Sequence, residues 1–403
     1  MKNYTHPKDF KSIRVKVDQK DWTFITVSFE IFQDITNPFW TGKLRISDTQ
    51  NRVMFDKITQ GSLVDIYIED RTTKQHFQFI IYKMNRDLIK QHHYEYEFEL
   101  IHISWLKDQK QRISKQYKKK QANDFVTEMI GKIGGIDFAE KTTGNYSFIV
   151  PNMSPMTAAQ WAAKWGVSVV SGGADLFVYQ SSHNGWSYKS LEKMIRTRSL
   201  ILKNIKKIPQ NIKNEDHSEL EDYFISMEQY KFINHVDSIP NVMKGAFANT
   251  TLVHDIKKKN AKEVTFKYGQ DIPEDAKRKP FKRFDEAPKA HITYQPIHQY
   301  NIEKKEKNFE EDHKKWNGSR KSNIMKLDTN RLLVSIPGRI DIFNQLGFST
   351  YVELPSQQDI EISKPQDEFY KGLYIITAMR HIFNQKSFET FIELGKKRLE
   401  RSL

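Results

Sequence analysis

The sequence predicts a mainly β protein of the α+β kind, with two related barrels, the second interrupted, a small α/β insert between them and a polar helical or loop insertion. Three observations predict it. FIIYKMNRDLIKQHHYEYEFEL at 79–100 returns at 373–394 as LYIITAMRHIFNQKSFETFIEL. Both copies alternate apolar and polar residues, the period of a half-buried strand. Between the copies the apolar spacing turns helical.

Aligned without a gap, the two stretches set Ile81 on Ile375, Arg86 on Arg380, Gln91 on Gln385, Glu95 on Glu389, Glu99 on Glu393 and Leu100 on Leu394. Each reads as a hairpin. Its second strand alternates Tyr94, Tyr96, Phe98 and Leu100 against Glu95, Glu97 and Glu99. Its first strand is a near-continuous apolar run, as in a strand covered on both faces. Upstream, GSLVDIYIED (61–70) matches GFSTYVELP (347–355), each a glycine turn feeding a strand. The stretch 25–48 has a looser counterpart at 224–250, with Gly42 falling on Gly245, so the second copy has early strands near 220–253 and late ones near 331–394. Many short strands in a duplicated unit imply two small barrels.

The expected division is a first barrel at 1–110, an α/β insert at 111–206, the first part of a second barrel at 207–255, a charged arm at 256–328, and the rest of that barrel with a tail at 329–403. In the insert, Phe125, Val126, Met129, Ile130 and Ile133 have helical spacing, with Asn123 as N-cap and Gly134 or Gly135 as the stop. SPMTAAQWAAKWG repeats the grammar: Ser154 caps, Pro155 takes the first helical position and Gly166 follows the end. Strands VSVVS and ADLFVYQS, a turn at Asn184-Gly185 and a short SLEKMI helix complete it. The arm carries Pro273, Pro280, Pro288 and Pro296, then a stretch of mixed charge at helix-compatible spacing. It reads as an exposed arm.

Composition removes several function classes. With no cysteine among 403 residues, disulfides, thiolate nucleophiles and cysteine-held metals are excluded. No apolar window of about 18 residues is present to span a bilayer, and the first residues lack the apolar core of a signal peptide. The formal charge of +14 invites a nucleic-acid reading. Lysine supplies most of it, in runs such as 107–120, 255–263 and 275–283; Lys115, Lys118, Lys119 and Lys120 are the candidate contacts to an acidic partner.

No phosphate-binding glycine pattern and no HExxH motif occurs. His92 and His93 at the first hairpin turn, and His291 and His298 near prolines, read as solvated histidines. Glu95, Glu97 and Glu99 share one strand face, which favours an acidic stripe over a catalytic pair, since acid and base need differing environments. Glu310, Glu311, Asp312 and His313 are contiguous and point in different directions. Trp161 and Trp165, with Phe177, Tyr179 and Trp186, could stack on bases but sit among Ala158, Ala162 and Val167, as a core would. No catalytic, metal or cofactor site emerges.

A barrel, an α/β insert and an interrupted second barrel together resemble the central baseplate hub family of T-even-like contractile-tailed bacteriophages. SPMTAAQWAAKWGVSVVSGGADLFVYQSSHNGWSYKSLEKM is similar to that family's insert, and NPFWTGKLRISD through GSLVDIYIED, echoed by LLVSIPGRIDIFNQLGFSTYVELP, to its tube-type barrels. The resemblance implies a non-enzymatic homotrimer, whose six barrels match a hexameric tail tube above and whose lower face takes the spike. It further implies wedge-protein neighbours, DNA passing without specific binding, no cofactor, no membrane insertion, and a place in the virion tail baseplate after assembly in the host cytoplasm. Related hubs serve type VI secretion and other contractile injection machines. Under this reading Glu95, Glu97, Glu99, Glu389 and Glu393 face the channel and repel DNA. The competing reading is a basic nucleic-acid-binding protein that uses Lys107–Lys120 and the Trp161 region. A wall hydrolase comes third, with no constellation behind it.

Overall fold

Strand-period alternation puts one face of each first-repeat strand into a common core. The computed structural model describes residues 12–69, 74–90, 93–202, 204–206, 227–235, 239–255, 259–271, 291–296, 299–301, 312–354, 370–384 and 387–396. In it the first repeat holds β1 (Ser12–Val17), β2 (Lys20–Asp21), β3 (Thr26–Asp34), β4 (Thr41–Asp48), β5 (Leu63–Glu69), β6 (Lys74–Lys90) and β7 (His93–His102). They pair in the order β3-β4-β7-β6-β5-β1-β2. The sheet curls around Trp22, Phe29, Leu44, Ile66, Phe79 and Phe98, all buried. Among the described residues it does not close by pairing: a cavity of about 230 Å³ lies between β1 and β3, lined by Val15, Thr26 and Phe29.

The insert follows with β8 (Ile113–Lys120), β9 (Gly135–Ala139), β10 (Thr142–Thr143), β11 (Tyr146–Met153), β12 (Val167–Ser168), β13 (Leu176–Ser182) and β14 (Gly185–Ser190). Its helices are Ala122–Ile130, Pro155–Ala163 and Leu191–Arg196. The Ser154 hydroxyl accepts the Thr157 N–H at 3.3 Å, and the Ser190 hydroxyl that of Lys193 at 3.2 Å, so both serines cap helices as their sequence context predicts. Asn123 does not cap. The N-cap is Gln121, and the Asn123 side-chain oxygen instead accepts from the Thr142 hydroxyl at 2.8 Å, tying the first helical turn to β10. Polar bonds seat the insert on the first repeat. The Trp40 indole donates to the Gln180 carbonyl at 2.9 Å, and the Trp186 indole to that of Pro38 at 2.6 Å.

The second repeat contributes β15 (Asn204–Lys206) and β16 (Gln229–His235) before an interruption holding β17 (Ala248–Asp255), β18 (Asn260–Lys267), β19 (Ile292–Pro296) and β20 (Gln299–Asn301). It resumes with β21 (Asn330–Pro337), β22 (Ser349–Glu353), β23 (Gly372–Asn384) and β24 (Phe388–Gly395). Its order, β16-β21-β24-β23-β22-β15, reproduces that of the first repeat, except that β15 runs parallel to β22 where β1 is antiparallel to β5.

Register fixes the equivalence residue by residue. Thr41 faces Ile101 and Leu44 faces Phe98, as Arg331 faces Gly395 and Val334 faces Ile392. A bulge interrupts β6 at Tyr82 and β23 at Thr377. The Tyr82 hydroxyl donates to Glu99 at 2.7 Å, and the Thr377 hydroxyl to Glu393 at 3.1 Å, so even the bulge chemistry is duplicated.

Four further expectations need correction. The ungapped alignment holds for β7 against β24 but slips by one in the leading strands: Ile81 lies opposite Leu100 as Ile376, not Ile375, lies opposite Leu394. The first hairpin spends six positions from Leu88 to Tyr94 and the second five from Phe383 to Phe388. Arg86 therefore matches His381, and Arg380 projects from the other face.

The strand at 248–255 is not a barrel strand. β17 forms a separate sheet with β18 and β19, and the counterpart of β4 is β21. Gly42 misled because it answers a local demand: a Cβ there would fall 2.8 Å from the Glu30 carbonyl, whereas its register equivalent is Leu332. The short β15, placed by sequence in the insert, pairs with β22 in the large sheet.

The described end of the charged arm is a half-buried strut. A π-helical turn, Lys314–Ser319, leads into the helix Arg320–Thr329. Trp316 joins the insert core and Leu327 the second-repeat core. Between them the Arg320 guanidinium donates to the carbonyls of Ala163, Ala174 and Leu176 at 3.1, 2.5 and 3.1 Å. Arg320→Ala leaves those carbonyls without their donor and is expected to lower stability by about 2–4 kcal/mol in urea unfolding; a loss under about 0.5 kcal/mol, the range of an ordinary surface change, would deny the strut its role.

Candidate assembly surface

A strand pair joins the repeats, beside the packing of Phe343 on Trp40 and Phe77. The second half of β23 pairs antiparallel with β3, from Ala378 opposite Asp34 to Asn384 opposite Ser28. The two curled sheets become one, of 13 strands among the described residues. Phe29 and Phe383 stack across the seam at 4.3 Å on the core face. On the other face Arg380 makes a two-pronged ion pair with Glu30, at 3.0 and 2.9 Å.

That other face carries the glutamates singled out in sequence. Glu97 accepts from Lys43 at 3.0 Å and from Arg45 at 2.9 Å. Glu99 accepts from Lys83 at 2.9 Å as well as from Tyr82. Hydrogen bonds from Lys43 and Arg45 hold the Glu97 carboxyl below the usual range, and those from Lys83 and Tyr82 do the same for Glu99. Burial, then the Glu99 bond, pushes the Tyr82 hydroxyl up to about 12. Glu393 is paired with Arg331. Glu389 lies opposite Pro337 and Ile382, and Glu95 opposite Ser47 and Asp87.

The face is thus a lattice of alternating charge: Glu30 opposite Lys43, Lys43 opposite Glu99, Glu99 opposite Lys83. An acidic stripe is the wrong description of Glu97, Glu99 and Glu393, because each has a cation within bonding reach. The partners were legible in KLRIS, where Lys43 and Arg45 alternate with Leu44 and Ile46, yet only the register shows which glutamate each meets.

The candidate lysines lie on β8, an edge strand of the sheet β20-β11-β8. Lys115 and Lys120 approach Glu128 at 4.0 and 3.1 Å, and Lys118 and Lys119 are exposed. Lysines on an edge discourage unwanted strand pairing. Trp165 is buried in the insert core, while Trp161 packs on Phe148 and lines a cavity of about 420 Å³ with Trp316, Arg320 and Gln295. His93 bonds Ser47 at 2.8 Å. His92, His298, Glu310 and Glu311 lie outside the described residues. Among the described residues no group of three or more acidic or histidine side chains is arranged to hold a metal, and no helix is long and apolar enough to cross a membrane.

No protein-family model matches the sequence, and no curated protein is similar to it in sequence. The fold is similar to that of a tail protein from Neisseria meningitidis MC58, with TM-score 0.56, 10% identity and coverage of 96% of each chain. It is also similar to the 43 kDa tail protein of prophage MuSo2 from Shewanella oneidensis, with TM-score 0.55, 9% identity and coverage of 96% of this chain and 98% of that one. At such identities the likeness is one of fold.

The ion-pair lattice gives a test in a swap. Glu97→Arg faces Lys43 and Arg45 with a third cation and is expected to cost about 1 kcal/mol, with Arg45→Glu in the same chain restoring at least half. Because the Glu97 pKa is depressed on folding, its contribution is present at neutral pH and is lost as pH falls below the ordinary carboxylate range. Equal unfolding midpoints for all three proteins would show the lattice to be idle.

Proposed function

We propose that this chain is a structural hub protein of a contractile-tail baseplate. Three copies close a ring whose six related sheets meet a hexameric tube on one side and a spike on the other. The observation that carries this is the internal duplication with its β3·β23 seam: two repeats of one register already stand side by side as neighbours in a ring do. Duplication lets a threefold ring offer six similar surfaces, which is what a joint between threefold and sixfold partners requires. The two tail proteins that share the fold support a tail role.

In this reading the face bearing Glu95, Glu97, Glu99, Glu389 and Glu393 lines the passage. Its paired charges offer DNA a surface with little net attraction. Lys118 and Lys119 on the insert, with Lys115 and Lys120 beside them, are free of that lining and meet acidic spike, tube or wedge neighbours. The protein performs no chemistry and holds no cofactor; its function is geometric.

Light scattering on the purified chain at moderate and at high salt tests the reading. The expected mass is near three times 47.7 kDa at both, since a pairing of strands and apolar contacts resists screening. A monomer that associates only with added DNA, and only at low salt, would replace the hub with the nucleic-acid reading.

A further inference from the structure

We infer that the ring is sewn by one specific strand pair: the outer edge of β6 at Lys83–Ile89 takes β16 of a second copy of this chain. The inference rests on the ring reading and supplies its seam.

The two repeats are treated unequally by the fold. In the second, the far half of β23 is covered by β3. In the first, β5 reaches only as far as Ile80, and beyond it β6 continues to Lys90 with no strand on its outer edge among the described residues. The counterpart of β3 is β16, which pairs with β21 and forms the far end of the large sheet. One chain therefore presents both halves of a contact it already makes internally, one at each end. Unpaired edges of this kind are hazards unless something covers them. Head-to-tail use of the same contact continues the internal arrangement from chain to chain and closes when the rotation allows.

The internal seam dictates the register. Phe383 faces Phe29, Ile382 faces Glu30 and His381 faces Ile31. Shared pairing with β7 and β24 equates Phe383 with Leu88, Ile382 with Asp87 and His381 with Arg86. Shared pairing with β4 and β21 equates Phe29 with Tyr230, Glu30 with Lys231 and Ile31 with Phe232. The transferred register sets Leu88 against Tyr230 and Asp87 against Lys231. The chemistry fits without adjustment. Asp87 and Lys231 are opposite charges on the ion-pair face. On the core face, Leu88 is 64% and Tyr230 36% exposed, where their internal counterparts Phe383 and Phe29 are buried and stacked. Ile89, next to Leu88 along β6, is 47% exposed.

The lack of native cysteine makes a cross-link unambiguous. Directly opposed residues of antiparallel strands have Cα atoms about 4.5–5.5 Å apart, inside the disulfide range of about 4.4–6.8 Å. In the full chain, mild oxidation of Leu88→Cys/Tyr230→Cys or of Asp87→Cys/Lys231→Cys is expected to give covalent multimers on non-reducing gels. The displaced pair Leu88→Cys/Ile233→Cys is expected to give none. Independently, Asp87→Lys opposes two cations and is expected to weaken self-association about tenfold or more, with Lys231→Asp in the same chain restoring it. Both positions are exposed, and circular dichroism checks that the fold survives. A chain that assembles normally yet forms neither cross-link, and whose mass ignores Asp87→Lys, overturns the seam and leaves the ring. A chain that stays monomeric at every concentration and never cross-links overturns both.

Discussion

The antiparallel pairing of β3 with the far half of β23 is the contact on which the rest of the molecule depends. Without it β3 and the far half of β23 each lose the strand that covers this edge, and a bare edge invites indiscriminate strand addition. With it the two become one sheet, with a continuous core face and a continuous polar face. Core-face packing of Phe29 on Phe383 sets the register, and the Arg380–Glu30 pair on the opposite face agrees with it. A shift by one residue would turn both wrong side out, so the two faces enforce each other.

The other parts brace that joint. The insert hangs from the loop between β3 and β4 through the Trp40–Gln180 and Trp186–Pro38 bonds, and so reports on the strand that carries the seam. The strut ending at Thr329 feeds directly into β21, the strand next to β16. Its Arg320 donates to three insert carbonyls, those of Ala163, Ala174 and Leu176. The strut thereby packs on both the insert and the second repeat.

Much of this was legible in sequence because strand alternation is a strong, local signal. The Tyr94–Leu100 alternation and its echo at 388–394 placed β7 and β24 and identified their glutamates. The leading strands were misaligned by one because a single extra residue near the first hairpin turn leaves no trace in composition. Gly42 against Gly245 was a match of residue type without a match of cause. Asn123 had a cap's chemistry but lies within the helix's first turn, where Thr142 offered its side chain a better partner. The arm read as exposed because its charges outnumber its anchors, although Trp316, Arg320, Ile324 and Leu327 already had helical spacing. The edge of β6 left unpaired among the described residues had no sequence signature at all: β5 stops short of it, and only the three-dimensional pairing shows that.

Hydrogen exchange, read residue by residue in dilute monomer and in assembled protein, tests the account most directly. The amides of β23 from Met379 to Phe383 that bond β3 should be strongly protected in both states, because their partner is in the same chain. Outward amides of β6 from Met84 to Leu88 should exchange freely in the monomer and become protected on assembly, as the proposed pairing with β16 of the next chain requires. Protection of β6 that is unchanged by assembly, or weak protection of the β23 segment in either state, would contradict the claim that one contact serves both within and between chains.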